Sequence, residues 1–345
     1  MESILKAEIL EQPIVIQELL DQESENARKI AASIAGKFNY VVIAARGTSD
    51  NAARYAQYLL GAHNHLQVAL ATPSLFSIYK TPPDLSNALI IGISQSGQSP
   101  DIVSVLTEGK KQNCPTIAIT NKEQSPLAQQ ADFIIPLHAH KERAIAATKT
   151  YTTSLTALAM LSCALANDRV LWNELEKAPE FMQETILGTQ SVIQHAERYR
   201  YMGHCAVLGR GFNYSTAFEV ALKVKELTRI VAEPYSSADF RHGPIATVTQ
   251  GFPLILIAPS GLISPDLIEL YNYLRQLKAE LLVISDDQDL LKNANLPFKI
   301  PSGLPEWLTP LAAIIPGQLF ALTLAVERGL NPDQPIGLKK VTETL

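Results

Sequence analysis

The chain has 345 residues, a formal net charge of −5, 47% hydrophobic and 18% charged residues. That length can build two domains with a core each, and the composition is that of a soluble globular protein rather than a disordered one. The charge provides no broad basic field for nucleic acid or an acidic membrane, although a local cationic pocket remains open.

The three cysteines, Cys114, Cys163 and Cys205, are odd in number and lack metal-like spacing. They read as buried small residues of a reducing compartment. Residues 1–12 carry Glu2, Glu8 and Glu11, which does not fit the basic and apolar regions of a signal peptide. No uncharged apolar run is expected to reach the roughly 18 residues of a membrane span. Residues 155–166 come closest and are expected to form a buried helix, so a cytoplasmic protein with no membrane or nucleic-acid partner is expected.

In chain order, residues 4–38 have the pattern of one or two amphipathic helices. Residues 40–46 (YVVIAAR) read as a buried strand, followed by Gly47 and a helical pattern to Leu60. Residues 88–93 (ALIIGI) run into SQSGQSPD, and 116–120 (TIAIT) follow. The same succession then recurs. Residues 205–210 (CAVLGR) precede Gly211 and a helix to Leu227, 253–258 (PLILIA) run into PSGLISPD, and 281–285 (LLVIS) follow. The second and third pairs share one offset of 165 residues, and the Arg-Gly ending of the first pair is shifted by a single residue. Three apolar runs and a shared Ser-Pro-Asp in step imply two copies of a βαβαβ unit.

Short apolar runs alternating with amphipathic helices are strands buried on both faces of a parallel sheet, and right-handed crossovers put helices on both sides. The expected architecture is α/β, with two tandem doubly wound, three-layer αβα domains of flavodoxin-like order. The expected division is an N-terminal helical segment (1–27), a first domain (28–166), a helical linker (167–198; Trp172, Leu175, Met182, Ile186, Val192), a second domain (199–330) and a tail (331–345). Residues 308–328 are expected to form a further helix.

Ligands of parallel sheets sit beyond the carboxyl ends of the strands, near the topological switch point. In the first copy three polar loops fall there: Gly47-Thr48-Ser49, residues 94–99 (SQSGQS), and Thr148-Lys149. A phosphate calls for short hydroxyls, a glycine that lets backbone approach, and a helix N-terminus. Ser94, Ser96, Gly97 and Ser99 supply these directly before a helix, with Ser99 placed to cap it and Pro100 at its first position. The second copy has Pro259, Ser260 and Gly261 in place of Ser94, Gln95 and Ser96, and keeps only Ser264-Pro265-Asp266. The cap is therefore shared, whereas the hydroxyls of Ser94 and Ser96 exceed what the fold needs.

Other motifs are excluded or stay bland. No G-x-x-x-x-G-K-[ST] occurs, and Gly209-Arg210-Gly211 lacks the third glycine of a dinucleotide fingerprint, Tyr214 standing there. No His-Glu-x-x-His or Cys pair points to a metal, and no cofactor is expected. His138 and His140 read as surface residues. Glu219, Lys223 and Glu226 share one face of the helix after residue 215. They form either a solvated charged face or, since this helix follows the first strand of its copy, a covered one. The Pro244 ring should hold Gly243 extended and end a helix near His242.

These residues resemble a known family almost end to end: EQP at 11–13, RGTS at 46–49, SQSG at 94–97, ATKTYTT at 147–153, ALKVKE at 221–226, HGP at 242–244, DQP at 333–335 and LKKVT at 338–342. The chain resembles the sugar isomerase (SIS) domain pair of the glutamine–fructose-6-phosphate amidotransferases, and more closely the stand-alone amino-sugar-phosphate isomerases and deaminases. The resemblance implies that Gly47, Thr48, Ser49, Ser94, Gln95, Ser96 and Ser99 bind the substrate phosphate, with sugar contacts at Ile145 and Ala147. It also implies that Glu226 moves a proton between C1 and C2, with Lys223 beside it. Lys339 and a His242 from the other subunit of a homodimer would act in ring opening.

The chain departs from the family in three ways. It shows no glutaminase segment, Ala147 stands in place of the usual Ser, and Lys340 stands in place of the Ser after the tail lysine, which leaves Lys339 or Lys340 as the active lysine. The expected activity is isomerisation and deamination of glucosamine 6-phosphate to fructose 6-phosphate and ammonia. The alternatives are a fructosamine-6-phosphate deglycase and a non-catalytic sugar-phosphate sensor.

Overall fold

A computed structural model of the chain describes residues 3–190 and 193–340. Val192 of the linker pattern and Val341 and Thr342 of the tail motif lie outside the described residues.

The expected N-terminal helical stretch is two helices, α1 (Ile4–Leu10) and α2 (Gln12–Ile34). The first parallel sheet comprises β1 (Tyr40–Ala44), β2 (Gln67–Leu70), β3 (Ala88–Ile93), β4 (Thr116–Thr120) and β5 (Phe133–Pro136). Its helices are α3 (Thr48–Asn64), α4 (Pro73–Ser77), α5 (Pro100–Lys111) and α6 (Pro126–Gln130). Next come α7 (Lys149–Ala166), α8 (Arg169–Leu175), α9 (Ala178–Gln190) and a 3-10 turn at Ile193–Tyr199. The second sheet holds β6 (His204–Gly209), β7 (Val231–Ser236), β8 (Pro253–Ile257), β9 (Glu280–Ser285) and β10 (Leu296–Lys299). Its helices are α10 (Tyr214–Thr228), α11 (Ser237–Arg241), α12 (Ser264–Gln276), α13 (Gln288–Lys292) and α14 (Thr309–Glu327).

The strand orders are β2-β1-β3-β4-β5 and β7-β6-β8-β9-β10, the same order twice, and every pairing is parallel. The expected doubly wound α/β class is observed. Each copy nonetheless has five strands where the apolar runs indicate three. The runs mark the central strands, β1, β3 and β4 in one sheet and β6, β8 and β9 in the other. The edge strands β2, β5, β7 and β10 are partly exposed, and all but β7 are only four residues long, so they lack the continuous apolar run that burial on two faces imposes.

In the first sheet Val42, Ala44, Ala88, Ile90 and Ala118 face α5 and α6 through Ile102, Val105, Leu106 and Leu127. In the second, Ala206, Leu208, Leu254, Leu256, Leu281 and Val283 pack on Leu267, Leu270 and Leu274 of α12. Burial of this kind is worth about 1.5–3 kcal/mol per large side chain.

The chain forms two compact units. One takes residues 14–142 and 149–176 with Lys339 and Lys340. The other takes 3–13, 143–148 and 177–338. The most apolar helical stretch is Glu306–Glu327, not residues 155–166 as the sequence reading held. It is long and apolar enough to cross a membrane, yet its 18-residue apolar window is 89% buried inside the protein. In α14 the absence of a side chain at Gly317 lets α10 approach, because a Cβ there would lie 2.4 Å from Val220 Cγ2.

Candidate functional site

The switch point of the first sheet lies between β1 and β3, since the chain leaves them toward opposite edges. The loops after these two strands carry the predicted phosphate residues. After β1, Gly47 sits at φ +55 as the N-cap of α3, with Thr48 and Ser49 half-buried in its first turn. After β3, Ser94 and Ser96 are buried, and Gln95 and Ser99 are half-buried. Arg46 Nε donates to Asp101 Oδ2 at 2.8 Å, which ties the end of β1 to the first turn of α5.

The Ser94 loop is preformed. Its Oγ accepts from Gly97 N at 3.1 Å, and Ser96 Oγ accepts from Gln98 N at 3.3 Å. A hydroxyl that accepts still has its own proton to give. Asn121 N donates to Gln95 O and Leu127 N to Gly97 O, so neighbouring segments hold the loop from outside. Gly97 is required twice over, by its φ of +62 and by space, since a Cβ would lie 2.1 Å from Ser125 Oγ. Ser99 occupies the expected N-cap position of α5, with Pro100 behind it, but its hydroxyl makes no capping bond. Two helix N-termini and serine hydroxyls thus meet where an anion is favoured. Thr148 and Lys149, the third predicted loop, are buried.

The carboxylate group belongs to the other unit. Lys223 of α10 is fully buried, with Nζ 2.5 Å from Glu226 Oε2 and 3.3 Å from Glu219 Oε1. Glu219 is also fully buried, whereas the Glu226 side chain is 21% exposed. The helix face is therefore covered, and the solvated alternative is wrong. Burial disfavours the Lys223 charge, but Glu219 and Glu226 outweigh it and hold the ammonium above the ordinary lysine range. Glu226 also lines a cavity of about 240 Å³ with Arg229, Asn331, Gln334 and Ile336.

His242 is exposed at the end of α11, and its N–H donates to Asp239 O. The helix stops there as expected, but Gly243 takes φ +133 rather than an extended conformation. Ile145 and Ala147 are half-buried, alternating with buried Ala144 and Ala146. Their segment is fixed by the buried Glu8 of α1, which accepts from Arg143 N and Ala144 N.

At the tail, Lys339 is exposed, while Lys340 Nζ lies 2.7 Å from Glu142 Oε2. Glu142 was not singled out from the sequence, where it looks like part of an ordinary charged run, Lys141-Glu142-Arg143. His140 is exposed as read, but His138 is half-buried and bonds Glu23 at 2.8 Å. Cys114, Cys163 and Cys205 are free and buried. Among the described residues no group of His, Cys, Asp or Glu is placed to hold a metal ion.

The pattern of the SIS domain matches residues 37–164 and again 200–328. The chain belongs to the SIS domain family. Over 96% of its length this SIS protein is 31% identical to the isomerizing glutamine–fructose-6-phosphate aminotransferase of Thermococcus kodakarensis and 32% identical to that of Aquifex aeolicus. It spans 56% of the length of each. Among solved structures, a Silicibacter pomeroyi protein named as a candidate phosphosugar isomerase is 31% identical, with a TM-score of 0.85 over 96% of this chain and 100% of that one. The C-terminal domain of the Francisella tularensis glucosamine–fructose-6-phosphate aminotransferase is 25% identical, with a TM-score of 0.84 over 97% and 99% of the two chains. Glucosamine-6-phosphate deaminase of Thermotoga maritima, at 23% identity, 0.83 and coverage of 99% and 100%, shares the fold. The family resemblance carried by the motifs is the one these relatives show.

Proposed function

We propose that this SIS protein isomerises glucosamine 6-phosphate, or a close hexosamine phosphate, and releases its nitrogen as ammonia to leave fructose 6-phosphate. The observation that carries the reading is Glu226, a partly exposed carboxylate whose Oε2 is held by a buried, charged lysine. Such a group suits a base that must shuttle one proton without changing place.

In this reading Ser94, Ser96 and Ser99, with the N-termini of α3 and α5, bind the phosphate. Glu226 takes the proton from C2 of the open-chain sugar and returns it to C1, which moves the double bond and leaves an imine at C2. Water adds to C2 and ammonia departs, so glucosamine 6-phosphate and water balance fructose 6-phosphate and ammonia. Lys223 keeps Glu226 in place, and Lys339 and His242 serve ring opening. His242 comes from the partner in a homodimer, and the three buried thiols suit the cytoplasm.

The test is direct. Purified protein is incubated with glucosamine 6-phosphate, and ammonia and fructose 6-phosphate are assayed together. Equal yields of the two products are expected. No turnover of this or any other amino-sugar phosphate overturns the proposal, and turnover confined to an amino-acid adduct of fructose 6-phosphate would establish a deglycase instead. Mixing inactive Glu226→Gln and His242→Asn proteins should restore activity, because one centre of each heterodimer keeps both residues. Failure to complement removes the partner's His242 from the mechanism.

A further inference from the structure

Glu142 sits just ahead of α7, and its side chain is fully buried. Its Oε1 accepts from Thr150 N at 3.2 Å and its Oε2 from Thr150 Oγ1 at 2.9 Å. Thr150 is the second residue of α7, so the carboxylate lies at the positive end of an 18-residue helix. The socket is completed by the chain around it, since neighbouring Lys149 is also buried, with Nζ 3.4 Å from Lys141 O. Into this socket comes Lys340 of the C-terminal tail, at 2.7 Å from Oε2 with its side chain 25% exposed. A buried carboxylate facing a helix N-terminus, a hydroxyl and an ammonium is a directional anchor, because its oxygens are fixed by the helix end and charge-assisted hydrogen bonds are short and oriented.

We propose that Glu142 is a positioning residue. It latches Lys340 and thereby fixes the register of the tail, so that the adjacent Lys339 is the lysine presented to the substrate. The inference rests on the proposed function in one respect, the assignment of ring opening to a tail lysine. It goes beyond that reading by separating the two lysines, one as anchor and one as reagent.

Two measurements test the proposal. In the first, the native protein is pulse-labelled with acetic anhydride and the tail peptide is analysed by mass spectrometry. Lys339 should label freely and Lys340 slowly, and Glu142→Gln should abolish the difference. In the second, Glu142→Gln and Lys340→Ala should each lower kcat on glucosamine 6-phosphate by roughly 10- to 100-fold, the scale of a displaced catalytic group. KM should stay near its wild-type value, because the phosphate loops are untouched. Lys340→Arg, which keeps the charge, should recover most of the loss. Lys340→Ala alters only the tail, so it decides the matter if Glu142→Gln misfolds.

Equal labelling of the two lysines in the wild type overturns the latch, and so does wild-type kcat in both variants. If the wild type turns over no phosphosugar, the proposed function fails. The labelling pattern then still decides whether Glu142 holds Lys340.

Discussion

The loop after β3 and the loop after β8 stand at the same place in the same strand order, 165 residues apart, and they satisfy their backbone N–H groups in different ways. The first carries Ser94, Ser96 and Gly97. Its hydroxyls accept backbone N–H groups within the loop, and its glycine lets the chain turn at φ +62. The second carries Ser260, Gly261 and Leu262 at the positions of Gln95, Ser96 and Gly97. Here Ser260 N donates to Asp286 Oδ1 and Leu262 N to Glu306 Oε2, both at 2.7 Å. Gly261 leaves the room that Glu306 fills, since a Cβ there would lie 2.3 Å from its carboxyl carbon.

Below both loops the framework is alike. Arg46 pairs with Asp101 in one sheet, and Arg210 pairs with Asp266 at 2.7 Å in the other. The Arg210 and Asp266 pair is set in a wider network. Burial works against the Asp266 charge, but Arg210, Ser237 and Arg241 outweigh it and hold the carboxyl below its usual range. The duplicated scaffold thus sets a polar loop at the same place in both copies. One copy supplies the anion from its own chain, and we propose that the other takes it from the substrate.

Substitutions test this contrast. The largest effect is expected away from both loops. Glu226→Gln should lower kcat by about 10²–10⁴-fold, the usual worth of a general base, with KM nearly unchanged. Near-wild-type kcat in steady-state assays would remove Glu226 as the base. Next is Gly97→Ala, which meets both a left-handed backbone and the Ser125 side chain. A loss of about 1–3 kcal/mol in chemical denaturation is expected. At the matching position Leu262→Gly should cost well under that, because the Leu262 side chain is 94% exposed.

Ser96→Ala should raise KM by roughly 10- to 100-fold, the value of a hydrogen bond to a charged group, and leave kcat close to wild type. A change in kcat alone would place Ser96 elsewhere in the reaction. The smallest expected effect is that of Glu306→Ala. It should cost about 1 kcal/mol of stability by freeing the Leu262 N–H and leave KM as it was. A raised KM would mean that the second loop also touches substrate.

Much of this was legible in the sequence, and the reason is burial. Residues 88–93 and 253–257 are apolar throughout because both faces of their strands are covered, and a shared offset exposes the repeat. The edge strands β2 and β7 were not legible, since a strand at the edge of a sheet mixes exposed and buried residues and shows no continuous apolar run. The serines were found because the second copy lacks them, a comparison inside one chain. Glu142 and Glu306 were not found, since each becomes distinctive only through a partner far along the chain, Lys340 for one and the Leu262 N–H for the other. Lys223 shows the limit from the other side. Its spacing to Glu219 and Glu226 is visible in the sequence, but only the fold shows that the Lys223 ammonium is sealed from water.

The carboxylates at the second loop also have a consequence for how the protein responds to its surroundings. Glu306 is covalently attached to the loop it serves, so its local concentration does not fall on dilution or dialysis. A phosphate ester at the first loop would come and go with its supply, and by binding the native state it would stabilise that half in proportion to the logarithm of its concentration. The protein therefore carries its own reference. Hydrogen exchange near Ser94 should track the phosphosugar in the medium, while exchange near Leu262 should stay constant across the same titration.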